Sequence, residues 1–138
     1  MSASLAAAVE IARDMLDELI AHARAEAPNE CCGMIAGEAG RAVRVYRGTN
    51  AAASPLRYEF DGGEQLAVQT AIEDHGWELA AIYHSHTRST PEPSQTDINL
   101  AFYPDALCVI VGVASDEPEV RAWAIRGGRV SEASLRVV

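Results

Sequence analysis

Two histidines separated by one residue, His84 and His86, have the spacing in this sequence that best suits metal chemistry. They follow a short apolar run, residues 79–83, whose composition predicts a β-strand. Alternate side chains of a strand point to the same face, so both imidazoles would lie on one side and Ser85 on the other. Such a pair can bind one metal ion, but it is common by chance, and its weight depends on the residues that follow.

A third candidate ligand, Asp97, follows a loop rich in turn-forming residues at positions 87–93. Ser94 is typical of a helix N-cap, and Asp97 would occupy the third helical position, where a capping box carries a hydrogen-bonding side chain. Asp97 therefore has two candidate roles, as a first-turn capping acid or as a metal ligand. Two histidines and one carboxylate are the ligands of a catalytic zinc site that keeps a fourth position for water, so we predict one Zn²⁺ per chain.

The order of these residues resembles the metal motif of the JAMM (MPN-plus) metallopeptidases. The matching positions are His84, Ser85, His86, Ser94 and Asp97. The segment at residues 28–37, Pro-Asn-Glu-Cys-Cys-Gly-Met-Ile-Ala-Gly, resembles the early strand on which that family carries a glutamate. The resemblance covers nearly the whole chain, and it implies a cytidine-deaminase-like JAMM/MPN fold.

Glu30 takes its role from this resemblance. Beside Asn29, it would otherwise be interpreted as an exposed turn acid, whereas the family pattern makes it the general base. Thr87 departs from the pattern, because many family members have Pro there. His-Ser-His-Thr also occurs in bacterial members that process sulfur carriers (the Mec-plus-like subgroup), so this departure indicates a subgroup. The segment from Asn50 to Tyr58 is similar to that subgroup's loop beside the cleft, and is a candidate substrate contact.

The implied reaction is zinc-assisted hydrolysis of an amide or isopeptide bond. Glu30 would take a proton from water and pass it to the leaving amine, and Ser94 would donate its hydroxyl to the developing oxyanion. The resemblance implies a ubiquitin-like sulfur-carrier protein as substrate, cleaved after its C-terminal Gly-Gly, for example to release cysteine. A broader desampylase or deubiquitinase-like isopeptidase, a dipeptidase and a non-catalytic MPN binding module remain alternatives. A zinc deaminase is disfavoured because its Pro-Cys-x-x-Cys signature is absent.

The composition of the chain limits which classes of protein and which partners are compatible with it. The chain of 138 residues suits one domain, residues 1–138, with 49% hydrophobic residues to fill a core. A formal net charge of −9 argues against a nucleic-acid partner. No apolar run reaches the roughly 18 residues of a membrane span, and the Ala-rich start lacks a basic signal-peptide region, so we expect a cytoplasmic protein without a membrane partner. The possibility that the protein forms a homodimer stays open.

Three cysteines, an odd number, are best explained as reduced thiols. Cys32 and Cys108 are expected to be small core residues. Cys31 could be a nucleophile with a histidine base, although a core position is favoured. His22 is expected at a surface or rim position without a function.

Hydrophobic periodicity predicts a mixed α/β or α+β fold, with a sheet covered on both sides by helices. The continuous apolar run at 107–113 indicates a strand that is buried on both faces. The predicted strands are 8–12, 30–38, 41–48, 57–60, 77–84, 107–113, 119–125 and 130–138, and the predicted helices are 13–25, 61–74 and 94–102.

Overall fold

The computed structural model describes residues 8–138, so most of the Ala-rich start discussed above, residues 1–7, lies outside the described residues. The elements in chain order are β1 (Ala8–Ile11), α1 (Arg13–Glu26), β2 (Cys32–Glu38), β3 (Arg41–Arg47), α2 (Gly62–Asp74), β4 (Glu78–His86), α3 (Gln95–Asn99), β5 (Leu107–Gly112), β6 (Glu119–Arg126) and β7 (Arg129–Val137). Within the described residues, no helix is long and apolar enough to cross a membrane.

The seven strands form one mixed sheet in the order β1-β3-β2-β4-β5-β6-β7. Hairpin neighbours pair antiparallel, while β4 and β5 pair in parallel. The sheet closes on itself because β1 also pairs in parallel with β7. The predicted mixed sheet is therefore confirmed, and its closure is an added feature that removes both open edges.

Strand β5 is buried on both faces, as its continuous apolar sequence predicts. Val109 and Val111 belong to one core cluster, which also contains Leu16, Leu19 and Ala23 of α1. Ile110 lies in a second cluster with Trp123, against which Ile98 of α3 packs. Helices therefore cover both faces of the sheet at β5. This explains why a strand here carries no polar side chain.

Near the site, three predicted boundaries and one predicted strand differ from the structure. Strand β2 begins at Cys32, so Glu30 precedes the sheet ladder. Residues 57–60 form no strand apart from an isolated bridge between Asn50 and Phe60, because part of their backbone bonds to the Asn50 side chain instead. Helix α3 ends at Asn99 rather than at 102. Strand β4, by contrast, extends to His86 because β5 pairs with it along that length.

Gly33 provides a test of the packing between β2 and its neighbour β4. A methyl group at this position would overlap the ring of Tyr83 and the backbone carbonyl of Tyr46. We expect Gly33→Ala to lower the free energy of unfolding by about 1–3 kcal/mol, the usual cost of overpacking. Urea denaturation measures this change. Gly62→Ala is the matched control, since nothing lies within 4 Å of an added Cβ there, and a Gly33→Ala protein as stable as this control would contradict the packing.

Candidate active site

The two histidines lie at the C-terminal end of β4, which is held on both sides by neighbouring strands. His84 is paired with Cys32 of β2 and with Ile110 of β5. His84 and His86 are 0% and 4% exposed, so the imidazoles are buried although they lie near the end of the strand. The centroids of the two rings are 5.1 Å apart, and the ring planes are tilted by 59° to each other. The strand geometry thus brings the rings together as the His-x-His spacing predicts.

Asp97 has the geometry for both of its candidate roles. Its backbone N–H donates to Ser94 Oγ at 3.1 Å, and its Oδ2 accepts the Ser94 N–H at 2.9 Å, which completes the predicted capping box. The same carboxylate is buried and approaches both imidazoles, with Oδ1 3.2 Å from His84 Nε2 and Oδ2 3.0 Å from His86 Nε2. The cap fixes the first turn of α3, and the turn directs the carboxylate at the histidines.

The three side chains fit a metal ion. Their donor atoms all lie within 4.8 Å of one another. Ligand atoms about 2.0–2.1 Å from a tetrahedral zinc would be about 3.3 Å apart, close to the distances between Asp97 and the two imidazoles. Both ring nitrogens of His84 are buried without a hydrogen-bond partner among the described residues, although Nε2 lies 3.2 Å from Asp97 Oδ1. Buried nitrogens without a partner are rare unless they have a ligand to bind. Two imidazoles and one carboxylate are donor groups that zinc prefers, so this cluster suits zinc.

Hydrogen bonds and burial set the tautomer of His86 and shift the pKa values of His86 and Asp97. His86 Nδ1 lies 2.8 Å from the Thr90 carbonyl, so Nδ1 carries the proton and Nε2 is left free to bind a metal. Burial raises the pKa of Asp97, but the two imidazoles and the Ser94 N–H outweigh this effect and hold the pKa well below its usual range. Burial lowers the pKa of His86, yet bonding to Asp97 and Thr90 leaves that pKa raised.

Glu30 is a buried acid without a partner. Its side chain is 3% exposed, and Oε1 has no hydrogen bond within residues 8–138. Burial raises the pKa of Glu30 to about 7, with a smaller contribution from the charge of Asp97 and an opposing one from His86. The alternative interpretation of Glu30 as an exposed turn acid is thus wrong, and a carboxylate with a pKa near neutrality suits general base catalysis.

Side chains from β4 and the loop after it hold the backbone around Glu30. Ser85, which alternates with the histidines, accepts the N–H of Cys31 on its Oγ at 2.8 Å. Thr87 Oγ1 donates to the carbonyl of Pro28 at 2.9 Å. A proline at position 87 could not make this bond, so the departure from the family pattern has a structural use. The strand that supplies the candidate ligands therefore also anchors the segment of the candidate base.

Burial of Glu30 has a consequence for the metal-free protein. A pKa of about 7 in the folded state, above the ordinary 4.5, means that stability is fully present below about pH 4.5 and is lost as pH rises through 7. We expect metal-free Glu30→Gln to become more stable than metal-free wild type by about 1–3 kcal/mol between pH 5 and 8. Urea denaturation in chelator measures the difference. A pH-independent difference would contradict a buried ionisable Glu30.

A cavity of about 510 Å³ adjoins the candidate metal cluster. His84 and Asp97 form part of its wall, and most of the remaining lining is apolar or aromatic. Its apolar side includes Met34, Ile82, Leu100, Phe102 and Cys108. The site is therefore open to a ligand on the face of the sheet that α3 covers.

The remaining chemical candidates do not join the site as reactive groups. Cys31 is buried and its pKa is raised to about 11, mainly by burial, so it is not a thiolate nucleophile. All three cysteines are free thiols, with Cys32 buried and Cys108 half-buried. The prediction that His22 lies at a surface or rim position is wrong, because the residue is 3% exposed and its Nδ1 lies 2.7 Å from Tyr83 Oη. Its spacing of three residues from Leu19, on the buried stripe of α1, was the signal for this position.

The fold and the cluster at the end of β4 define a JAB-type metallopeptidase domain. The model of prokaryotic homologs of the JAB domain matches residues 12–126. The chain belongs to this family.

Relatives and a solved structure agree with this assignment. The chain is 42% identical to the CysO-cysteine peptidase of Mycobacterium tuberculosis over 131 residues, which cover 93% of this chain and 90% of that protein. It is 33% identical to the desampylase of Haloferax volcanii over 136 residues, 94% of this chain and 96% of that one. A JAB1/MPN domain protein from Archaeoglobus fulgidus has the same fold, with a TM-score of 0.63 at 20% identity and coverage of 94% and 96%.

Proposed function

We propose that this protein is a zinc-dependent peptidase that cleaves after the C-terminal Gly-Gly of a ubiquitin-like sulfur-carrier protein and releases an amino acid such as cysteine. The observation that carries the proposal is the buried Glu30 carboxylate, which has no hydrogen-bond partner on Oε1 among the described residues and feels the charges of His86 and Asp97, two of the three candidate metal ligands. The 42% identity to a CysO-cysteine peptidase supports this substrate class.

His84, His86 and Asp97 would hold the zinc ion. Zinc supplies Lewis acidity, which lowers the pKa of a ligated water to about 7 and polarises a carbonyl group. Glu30 would accept the proton of the attacking water and later donate it to the leaving amine. Ser94 Oγ already accepts a backbone N–H, and its own hydroxyl proton has no acceptor among the described residues, so it is free to donate to the carbonyl oxygen as negative charge develops.

A second candidate is a broader isopeptidase, which the 33% identity to a desampylase favours. The chemistry would be the same, but the leaving amine would be a lysine side chain of a modified protein. A non-catalytic binding module is disfavoured, because all three donor groups and the buried acid are present.

Assays of the zinc-supplemented protein on three substrates separate these functions. The substrates are a carrier ending in Gly-Gly-Cys, the free Gly-Gly-Cys peptide, and the carrier joined through Gly-Gly to a lysine. Intact-mass measurement should show removal of the terminal residue from the first carrier much faster than hydrolysis of the free peptide. Preferential cleavage of the lysine conjugate would favour the isopeptidase, and equal rates on the free peptide a dipeptidase. No cleavage by a folded, zinc-loaded protein would favour the binding module.

A further inference from the structure

One side-chain amide organises the loop at residues 50–60, called the Asn50 loop below. Asn50 Nδ2 donates to the carbonyls of Glu30 at 3.0 Å and Arg57 at 3.1 Å. Asn50 Oδ1 accepts the N–H groups of Ala52 at 3.0 Å and Glu59 at 2.9 Å. Both N–H donors of the amide and both acceptor positions of its oxygen are therefore used. Asn50 closes the loop on itself and joins it to the backbone of the candidate base.

The Asn50 loop also holds the other backbone group of Glu30. The Glu30 N–H donates to the Ser54 carbonyl at 2.9 Å, while its carbonyl accepts from Asn50. Glu30 precedes β2, so the sheet ladder contributes neither of these bonds. The place of the Glu30 carboxylate therefore depends on the loop.

The same loop reaches the candidate metal ligands through Tyr58. Its ring stacks on the imidazole of His84, with centroids 4.6 Å apart and an angle of 21° between the planes. Among the residues that the structure describes, neither ring nitrogen of His84 has a hydrogen-bond partner, whereas the Thr90 carbonyl orients His86. Metal-binding histidines are ordinarily oriented by a hydrogen bond to the ring nitrogen that does not bind the metal. For His84, the aromatic stack takes the place of that bond.

We propose that Asn50 and Tyr58 are positioning residues, and that the Asn50 loop couples the two halves of the site. Asn50 sets the place of Glu30, and Tyr58 sets the plane of the His84 ring. This inference rests on the proposed metal site, but it does not depend on the identity of the substrate. It assigns the loop an internal role, in addition to any contact with substrate.

The zinc affinities of Tyr58 variants test the role of this residue without any substrate. Competition with a chromophoric chelator should show Tyr58→Phe within about 3-fold of wild type, because the ring stack is kept, and Tyr58→Leu weakened by about 10- to 100-fold, the usual effect of removing a group that orients a ligand. The d–d absorption of the cobalt-substituted Tyr58→Leu protein should shift as well. Tyr46→Leu, which removes a half-buried tyrosine on β3, should bind zinc like wild type.

Thermal unfolding of the metal-free variants checks that each is folded, and Tyr58→Met gives the same test if Tyr58→Leu does not fold. Wild-type zinc affinity in a folded Tyr58→Leu or Tyr58→Met protein would overturn the role of Tyr58. A wild type that binds zinc but cleaves no carrier adduct would overturn the proposed function and leave this inference intact.

Asn50→Asp tests the coupling, since it keeps the acceptor oxygen and loses both donated hydrogen bonds. We expect kcat to fall by about 10-fold or more at full zinc occupancy, because Glu30 loses its support. We also expect the zinc affinities of Asn50→Asp, Tyr58→Leu and the double variant to be non-additive, because both residues act through one loop. Unchanged kcat, or losses of zinc affinity that simply add, would overturn the coupling.

Discussion

Replacing Glu30 by Gln is expected to leave zinc bound and to lower turnover of a carrier adduct by about 10²- to 10⁴-fold, the usual contribution of a positioned general base. Gln has nearly the same shape, but it cannot accept the proton of the attacking water. Glu30 is also outside the three-donor cluster, so the metal ligands are untouched. Elemental analysis of the zinc content and kcat on the Gly-Gly-Cys carrier, measured on one preparation, separate the two effects.

Glu26→Gln is the matched control for this change. Glu26 is an exposed acid at the end of α1, so its conversion to an amide makes the same chemical change near the same segment. We expect it to keep both zinc and turnover. A Glu30→Gln protein that cleaves at the wild-type rate would show that the buried carboxylate is not the base.

The largest combined effect is expected at Asp97, since one carboxylate caps α3 and approaches both imidazoles. Asp97→Ala should lose zinc and activity together. It should also lower the stability of the metal-free protein by about 0.5–2 kcal/mol, the range for lost helix caps. Chelator competition measures the zinc affinity, and urea denaturation of the metal-free protein measures the cap.

Asp97→Asn separates the two roles. An asparagine oxygen can still accept the Ser94 N–H, so most of the cap should remain, while the negative charge that zinc requires is gone. We therefore expect metal-free Asp97→Asn to be more stable than metal-free Asp97→Ala but less stable than metal-free wild type, because the attraction between the carboxylate and the imidazoles is lost, and we expect it to bind zinc much more weakly than wild type. Equal zinc affinities in Asp97→Asn and wild type would mean that Asp97 serves only as a cap.

The parts of the site that follow from local spacing could be predicted from the sequence. Alternation along a strand puts His84 and His86 on one face, and the Ser94 to Asp97 spacing defines a capping box. Local hydrophobic pattern likewise predicted β5 as a strand buried on both faces. In each case the residues that decide the outcome are within a few positions of one another.

The parts that depend on distant contacts could not be predicted. Glu30 is buried by segments far along the chain, through the bonds of Asn50 and Thr87, and no local pattern carries that information. The closure of the sheet depends on β1 meeting β7, from opposite ends of the described chain. Residues 57–60 have a strand-like composition, but the Asn50 side chain takes part of the backbone bonding that a ladder would need.

The zinc stoichiometry of the purified wild-type protein tests the central claim most directly. Elemental mass spectrometry, after removal of loosely bound metal by gel filtration, should give about one zinc per chain, which the three-donor cluster of His84, His86 and Asp97 predicts. A well-folded protein that remains free of zinc after zinc has been supplied would contradict the metal site, and with it the proposed peptidase.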